Sequence, residues 1–173
     1  MLRVLLILPA LFLALSSHAE VSNFRVGIGW LNVDIHPSTL AKKHDHGISL
    51  FAEFPQSNYT ASRFIVYRLN GENSLRLHGF ETQLMWGYGL AKPGLRMYTG
   101  PAWHHETWNT ANQNQRFNGW GWQLGTGIQY QAITVDIAAT YRQANDYHRF
   151  NRRQGLRQQP DPILANLLIS YRF

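Results

Sequence analysis

Cysteine is absent from the sequence, which excludes disulfide bonds, thiolate metal sites and a lipid-modified N-terminal cysteine. Charged residues are scarce, at 15% of the chain, whereas aromatic residues reach 13%. Beyond residues 4–15, no apolar run approaches the roughly 20 residues of a membrane-spanning helix, which excludes a helical membrane protein. A soluble domain rarely combines so many aromatic side chains with so few charges. The order of these residues along the chain therefore decides the fold class.

The N-terminus has the parts of a secretory signal peptide. Arg3 supplies a positive charge, residues 4–15 form a short apolar core, and Ser17 and Ala19 place small residues at positions −3 and −1 of a cleavage site. We predict a signal peptide over residues 1–19 and one domain over residues 20–173. An uncleaved N-terminal anchor is the alternative.

Apolar and polar residues alternate with a period of two in eight segments, which predicts β-strands. The strands are predicted at about 23–32, 48–54 and 59–69, in a fourth segment that ends near residue 90, and at 95–104, 120–130, 133–142 and 163–173. The predicted connections are tight turns at 55–58, 91–94 and 131–132, a short turn at 70–73, and long polar loops at 33–46, 105–117 and 143–161.

The last strand has one wholly apolar face, and residue 173 ends the sequence without a further segment to cover it. Its apolar face carries Ala165, Leu167, Ile169, Tyr171 and Phe173. The opposite face carries polar residues, which is typical of a strand between two different solvents. Similar rows in the other strands include Trp30, Trp103, Trp120, Trp122 and Tyr141 near one membrane interface, and Phe54, Trp86, Tyr88, Tyr130, Tyr171 and Phe173 near the other.

Two features of the strands are less regular. In the third strand we favour the face of Ala61, Ile65 and Tyr67 as the outward one, although this face includes Arg63; Phe64, Val66 and Arg68 form the alternative face. Pro101 removes a hydrogen-bond donor from the fifth strand, which predicts a β-bulge there.

The predicted fold is all-β: an eight-stranded, antiparallel, up-and-down transmembrane β-barrel with its apolar faces outward. A soluble β-sandwich or lipocalin-like barrel is the alternative. It would require the aromatic rows to pack inward, and the interior of an eight-stranded barrel is too narrow to hold them.

Three segments carry a resemblance to a known family: GWGWQLGTGIQY at 119–130, VDIAATYR at 135–142 and ISYRF at 169–173. The chain resembles the small outer-membrane β-barrel superfamily of the OmpA transmembrane domain and OmpX/Ail type. This implies location in a Gram-negative outer membrane, with periplasmic chaperones and the barrel-insertion machinery as partners. It also implies an insertion signal formed by Leu167, Ile169, Tyr171 and Phe173. It implies no single activity, because such barrels serve adhesion, complement resistance, anchoring and lipid A editing.

Inward positions collect charges of both signs, which predicts a salt-bridge network in the lumen. Its members are Arg25, Glu53, Glu81, Arg96, Asp136, Arg142 and Arg172. A proton or ion pathway is the alternative, although eight strands leave no continuous pore.

The long loops carry a surplus of cations, among them Lys42, Lys43, Arg149, Arg152, Arg153 and Arg157. Arginine forks bind phosphate, so we expect these residues to contact lipopolysaccharide or another anionic surface ligand, such as a host glycan. A merely solvated loop is the alternative. Nucleic acid is not expected as a partner of an exported chain.

We predict a structural or surface-interaction protein without a cofactor or metal. A lipid A-modifying enzyme, of the deacylase or palmitoyltransferase kind, is the first alternative, and a narrow channel is the second. His104, Glu106 and Thr107 are the residues whose types are most similar to those that such enzymes carry near the outer interface, but no nucleophilic serine accompanies them. His44, Asp45 and His46, and the run 104–106, are weak metal-site candidates.

Overall fold

The structure is a computed structural model that describes residues 24–35, 43–70, 76–109, 114–143 and 163–173. These residues form eight β-strands: β1 Arg25–Ile35, β2 Lys43–Pro55, β3 Thr60–Asn70, β4 Arg76–Tyr88, β5 Gly94–Asn109, β6 Asn114–Tyr130, β7 Ile133–Arg142 and β8 Ile163–Arg172. In the described ranges no helix is long and apolar enough to cross a membrane.

Each strand pairs with its neighbours in the chain, and β1 also pairs with β8, which closes the sheet into a barrel. All eight pairings are antiparallel. The predicted fold class is confirmed. Tight connections at 56–59, 89–93 and 131–132 lie at one end, which we call the turn end. The opposite end, from which the remaining connections leave, is the loop end.

The exterior of the barrel is apolar and its interior is largely polar. Along β7 and β8, exposed and buried residues alternate at nearly every position. The exposed side chains are large and apolar, whereas the buried set includes four arginines and four carboxylates. The soluble alternative, which needs the aromatic rows to pack inward, is therefore wrong.

The predicted facing of β3 is wrong. Arg63, Ile65 and Tyr67 are buried in the lumen, whereas Phe64 and Val66 are exposed on the outside. Each face of this strand carries apolar residues and one arginine, Arg63 on one face and Arg68 on the other, so the alternation alone could not choose between them. In the lumen Arg63 lies 2.6 Å from Glu53 and 2.8 Å from Asp136, whereas Arg68 is exposed near the loop end of the strand. A guanidinium group is far less costly among carboxylates than in hydrocarbon.

Two of the predicted long loops are shorter than expected. The β5–β6 hairpin continues to Asn109 and Asn114, so the predicted loop at 105–117 is mostly strand. Likewise β1 extends to Ile35 and β2 begins at Lys43. Polar side chains at these strand ends made the segments look like loops, but strands that rise beyond the apolar belt can carry polar residues on both faces.

The predicted bulge at Pro101 is absent. The register of β5 is the same on both sides of Pro101, against β6 and against β4. The β4–β5 pairing instead skips Leu84 and Met85, which stand opposite Pro101 and Gly100. The carbonyl oxygen of Leu84 accepts a hydrogen bond of 3.1 Å from Gln123 Nε2 of β6. A side-chain amide thus replaces the donor that proline lacks.

The assignment of Trp86 and Trp122 to opposite membrane interfaces is also wrong, because their ring centroids are 6.4 Å apart. Strands in a barrel tilt relative to its axis, so position along a strand does not give height in the membrane. The Trp122 indole donates a hydrogen bond of 2.7 Å to Thr99 Oγ1. This bond satisfies a polar group that would otherwise face the apolar surroundings.

Candidate functional site

The turn-side half of the lumen is organised around one carboxylate. Glu53 of β2 accepts from Arg25 Nη1 at 2.5 Å, from Arg63 Nη2 at 2.6 Å and from Arg96 Nη2 at 2.8 Å. Asp136 of β7 is 2.8 Å from Arg63 Nη2 and 3.3 Å from Arg96 Nε. We call these five residues the Glu53 cluster. It joins five of the eight strands and, with three arginines and two acids, carries a net positive charge.

A second group of charges is organised around one arginine. Arg142 of β7 is 2.6 Å from Glu81 Oε2 and 2.9 Å from Glu106 Oε2. Tyr67 completes the group: its hydroxyl donates to Glu106 at 3.0 Å and accepts from Arg142 Nη2 at 3.1 Å. We call these four residues the Arg142 cluster. With one arginine and two acids it carries a net negative charge, so the two clusters together are neutral.

Each cluster includes a tyrosine ring that faces an arginine. The Tyr98 ring centroid is 5.0 Å from the Arg63 guanidinium carbon, and its hydroxyl accepts from Arg63 Nη1 at 3.0 Å. The Tyr67 ring lies 5.2 Å from the same atom of Arg142. Cation–π contacts of this kind stabilise a desolvated guanidinium group.

Glycines on neighbouring strands make room for these rings. A Cβ atom at Gly125 would lie 2.3 Å from the Tyr98 ring, and a Cβ atom at Gly79 would lie 2.6 Å from the Tyr67 hydroxyl.

Both ends of the lumen are filled by side chains. Near the loop end, inward positions carry a buried apolar layer of Leu31, Leu69, Leu77, Phe117 and Leu164. At the turn end Leu90 is fully buried, and Arg172 Nη1 lies 3.4 Å from the carbonyl oxygen of Ala91. The charges between these layers are shielded from water at both ends.

The structure brings together six of the seven residues predicted for the lumen network. Arg172 lies apart from them at the turn end, where its described contact is the one with Ala91. Sequence reasoning missed Arg63, Glu106, Tyr67 and Tyr98. Arg63 and Tyr67 were missed because β3 was given the wrong facing, and Glu106 because it was placed in a loop. The alternation of β3 gave no signal for Arg63, because an arginine lies on each face of this strand.

The cations predicted for the loops lie almost entirely outside the described residues. This holds for Lys42, Arg149, Arg152, Arg153 and Arg157. Lys43 is the first residue of β2, and its backbone pairs with Ile35. Anionic-ligand binding by these residues therefore stays a prediction.

The residues considered for catalysis do not converge. His104 and Glu106 are buried in the lumen. Thr107 follows Glu106 in the same strand, so its side chain lies on the opposite face, the outer side of the barrel wall. In the described ranges, no group of three or more His, Asp or Glu side chains is placed to hold a metal ion.

Among the described side chains, those of two arginines and two histidines lie together on the outer wall at the loop end, on β3 to β6. Arg68 of β3, His78 of β4 and Arg116 of β6 are exposed there, and His105 of β5 is half-buried next to Asn118, with which it shares a hydrogen bond. We call these four cationic or titratable residues the rim band. Phe80 and Trp103 lie beside His105, with ring centroids 5.7 and 6.5 Å from its ring.

The architecture matches that of known outer-membrane proteins. OprG from Pseudomonas aeruginosa has a TM-score of 0.57 and 12% identity, over 89% of this chain and 97% of its own. Neisserial surface protein A has a TM-score of 0.57 and 10% identity, over 90% and 100%. Ail from Yersinia pestis, in a phospholipid nanodisc, has a TM-score of 0.50 and 9% identity, over 88% and 100%. No protein-family model and no curated protein matches the chain.

The closed eight-stranded barrel, with an apolar outer face and a charged, filled lumen, has the fold of the small outer-membrane β-barrels. The resemblance predicted from the sequence is confirmed at the level of fold. At these identities the likeness concerns the architecture and assigns no activity.

Proposed function

We propose that this chain is a structural or surface-interaction protein of a Gram-negative outer membrane, which contacts lipopolysaccharide or a similar anionic ligand through its loop end. The observation that carries the proposal is the difference between the charges in the lumen and those at the loop end. The lumen arginines and carboxylates pair with one another, in ion pairs of 2.5–3.3 Å. Most of the remaining cations lie at the loop end, in the rim band and in the loop sequences, whereas Lys92 and Arg172 lie at the turn end.

The apolar exterior supports a membrane location. Large apolar side chains on every strand are exposed, among them Leu124 at 66% and Tyr130 at 73%. Such an area far exceeds the patches that soluble monomers expose. With the tight turns on the periplasmic side, as in barrels of this class, the loop end faces the outer leaflet and its phosphate groups.

The filled lumen supports a surface role over transport. A conducting path would have to pass the apolar layer near the loop end and then the Glu53 cluster, whose members are almost completely buried. The separation of His104 and Glu106 from Thr107 by the wall of the barrel gives the enzyme alternative no assembled site.

The experiment is retention of lipopolysaccharide by the protein purified from outer membranes. Wild-type protein and two loop variants, Lys42→Gln/Lys43→Gln and Arg149→Gln/Arg152→Gln/Arg153→Gln/Arg157→Gln, are compared for co-purified lipopolysaccharide. We expect the wild type to retain more lipopolysaccharide than a control barrel whose loops carry no net charge. We expect the variant that lacks the four loop arginines to retain less lipopolysaccharide than the wild type. Equal retention of lipopolysaccharide by all three proteins would contradict binding by the loop cations.

Two further measurements address the alternatives. Mass spectrometry of lipid A should show the same acylation pattern in cells with and without the protein. A pattern that differs between them would favour the lipid A-modifying enzyme. Recordings in planar bilayers should show no steady conductance steps.

A further inference from the structure

We propose that the rim band is a binding site for the doubly phosphorylated sugar headgroup of an outer-leaflet glycolipid, the lipid A part of lipopolysaccharide. This inference rests on the proposed function and assigns the contact to the wall of the barrel rather than to its loops.

The register places three members of the rim band, Arg68, His78 and Arg116, in one row across four strands, with Thr107 of β5 between His78 and Arg116. Arg68 pairs with His78, His78 with Thr107, and Thr107 with Arg116. Residues paired in this way lie side by side, and their side chains leave the same face of the sheet. The row therefore presents a cation at each end, with an imidazole and a hydroxyl between them.

The two arginines are available to a ligand. Within the part of the chain that the structure describes, neither Arg68 nor Arg116 makes an ion pair, and both side chains are exposed. Nor does an acid occur at any outward-facing strand position whose side chain is described; the four described carboxylates all face the lumen. The two arginines of the row therefore have no acid beside them among the described outward side chains.

The spacing of the arginines favours a ligand with two anionic groups. Three inter-strand spacings separate Arg68 from Arg116, which is about 14 Å at the usual strand separation. One phosphate cannot engage both guanidinium groups at that distance without bending both side chains far along the wall. Two phosphates at opposite ends of a disaccharide match the separation better, and arginine binds each through a bidentate fork.

The residues directly below the row fit the rest of a glycolipid. One step towards the turn end, the outward positions carry Phe80 and His105, which are paired, and Asn118. The next step carries Trp103 and Trp120, also paired, and the Phe80 and Trp103 ring centroids are 5.3 Å apart. Aromatic rings below a row of cations suit a molecule that has sugars and phosphates above and acyl chains below.

Among the described side chains, the outward arginines near the loop end lie on this side of the barrel. The described outward side chains nearest the loop end on β1, β7 and β8 are Asn32, Tyr141 and Ile163, which are uncharged, and β2 carries the exposed imidazole of His46. A general attraction to an anionic membrane surface does not require such asymmetry, whereas a site for one headgroup does.

The test is lipid binding by the full chain, purified from membranes and exchanged into nanodiscs. Native mass spectrometry would compare doubly phosphorylated lipid A, singly phosphorylated lipid A and phosphatidylglycerol, against a phosphatidylethanolamine background. Arg68→Gln and Arg116→Gln should each weaken binding of the doubly phosphorylated form about tenfold, as expected for the loss of one charge-assisted contact. Arg68→Lys should lose less, because it keeps the charge without the fork.

Lys92→Gln is the matched control, because Lys92 is an exposed cation in the turn at the opposite end of the barrel and should leave binding unchanged. Heat-modifiable gel migration verifies that each variant is folded. Phosphatidylglycerol binding as strongly as lipid A would overturn the glycolipid assignment. Lipid A binding that the loop variants weaken and the rim variants do not would overturn the rim site and leave the proposed function standing. Lipid A binding no stronger than phosphatidylethanolamine would overturn both.

Discussion

The Glu53 cluster and the Arg142 cluster are built on the same plan with the signs exchanged. In the first, one carboxylate is shared by three arginines; in the second, one arginine is shared by two carboxylates. Each has a tyrosine against a guanidinium group and a glycine behind the tyrosine. The difference lies in what else contacts the central group. Arg142 also donates to the Tyr67 hydroxyl and its two acids accept hydrogen bonds from neutral donors, whereas Glu53 accepts from arginines.

The comparison teaches that the cost of losing a central residue depends on the neighbours left behind. Removing one partner of a buried ion pair is costly chiefly because the other charge stays buried without compensation. Five variants test this comparison, beginning with the loss of each central residue.

Glu53→Gln should be the most damaging substitution. Asp136, which pairs with Arg63 and Arg96, would then be the one carboxylate left for three arginines of the cluster, in an interior closed at both ends. We expect a loss of about 3–5 kcal/mol in the free energy of unfolding, the range for breaking a buried pair. Urea unfolding in detergent micelles, followed by tryptophan fluorescence, measures it. Lys92→Gln, which removes an exposed charge, is the control. A loss below about 1 kcal/mol would mean that water reaches the cluster.

Arg142→Met should cost less, about 3 kcal/mol, although it leaves two acids without their cation. Gln83 donates to Glu81 at 2.6 Å, Thr140 donates to the same carboxylate at 3.2 Å, and Tyr67 donates to Glu106 at 3.0 Å. These donors remain in the variant. The same unfolding measurement applies. If Arg142→Met proves worse than Glu53→Gln, neutral donors do not protect the acids and the proposed difference between the clusters is wrong.

Gly125→Ala tests whether the ring next to Arg63 needs its space. The new methyl group would overlap Tyr98, and overpacking of this kind costs about 1–3 kcal/mol. Leu124→Val, on the lipid-facing side of the same strand, is the control, because Leu124 is 66% exposed. Unchanged stability of Gly125→Ala would show that the ring can move without loss.

The tyrosine hydroxyls give the smallest and most specific comparison. Tyr67→Phe removes a bond to Glu106 and one from Arg142, whereas Tyr98→Phe removes one from Arg63. We expect losses of about 2 and about 1 kcal/mol, respectively. Each phenylalanine keeps the ring and its cation–π contact, so the two variants control for each other. Equal losses of stability would contradict the expectation that a hydroxyl with two hydrogen-bond partners contributes more than a hydroxyl with one.

The sequence was sufficient to predict the fold because the outward and inward faces differ so clearly in most strands. In β6, tryptophan, leucine and isoleucine alternate with glycine and glutamine, and the structure follows that order. The lumen charges could be predicted for the same reason. What alternation cannot provide is the partner of each charge, since that depends on register and tilt around the whole barrel. The pairing of Arg63 with Asp136, 73 residues away, is an example.

The errors have two physical sources. In β3, both faces carried apolar residues and one arginine each, so the alternation did not distinguish the inward face from the outward one. At the loop end, the change from apolar to polar marks the limit of the apolar belt and was mistaken for the limit of the strands, so Glu106 was placed in a loop. The loops themselves, which hold most of the predicted ligand-binding cations, are the part of the proposal that experiments must decide.

The Glu53 cluster also constrains how this protein can be assembled. Its charges come from β1, β2, β3, β5 and β7, and so from almost the full length of the chain. A half-built sheet would present uncompensated guanidinium groups to hydrocarbon, and each hairpin on its own would be a poor membrane segment. Insertion and closure should therefore occur as one concerted event, with Asp136 on β7 arriving late as the second acid among three arginines.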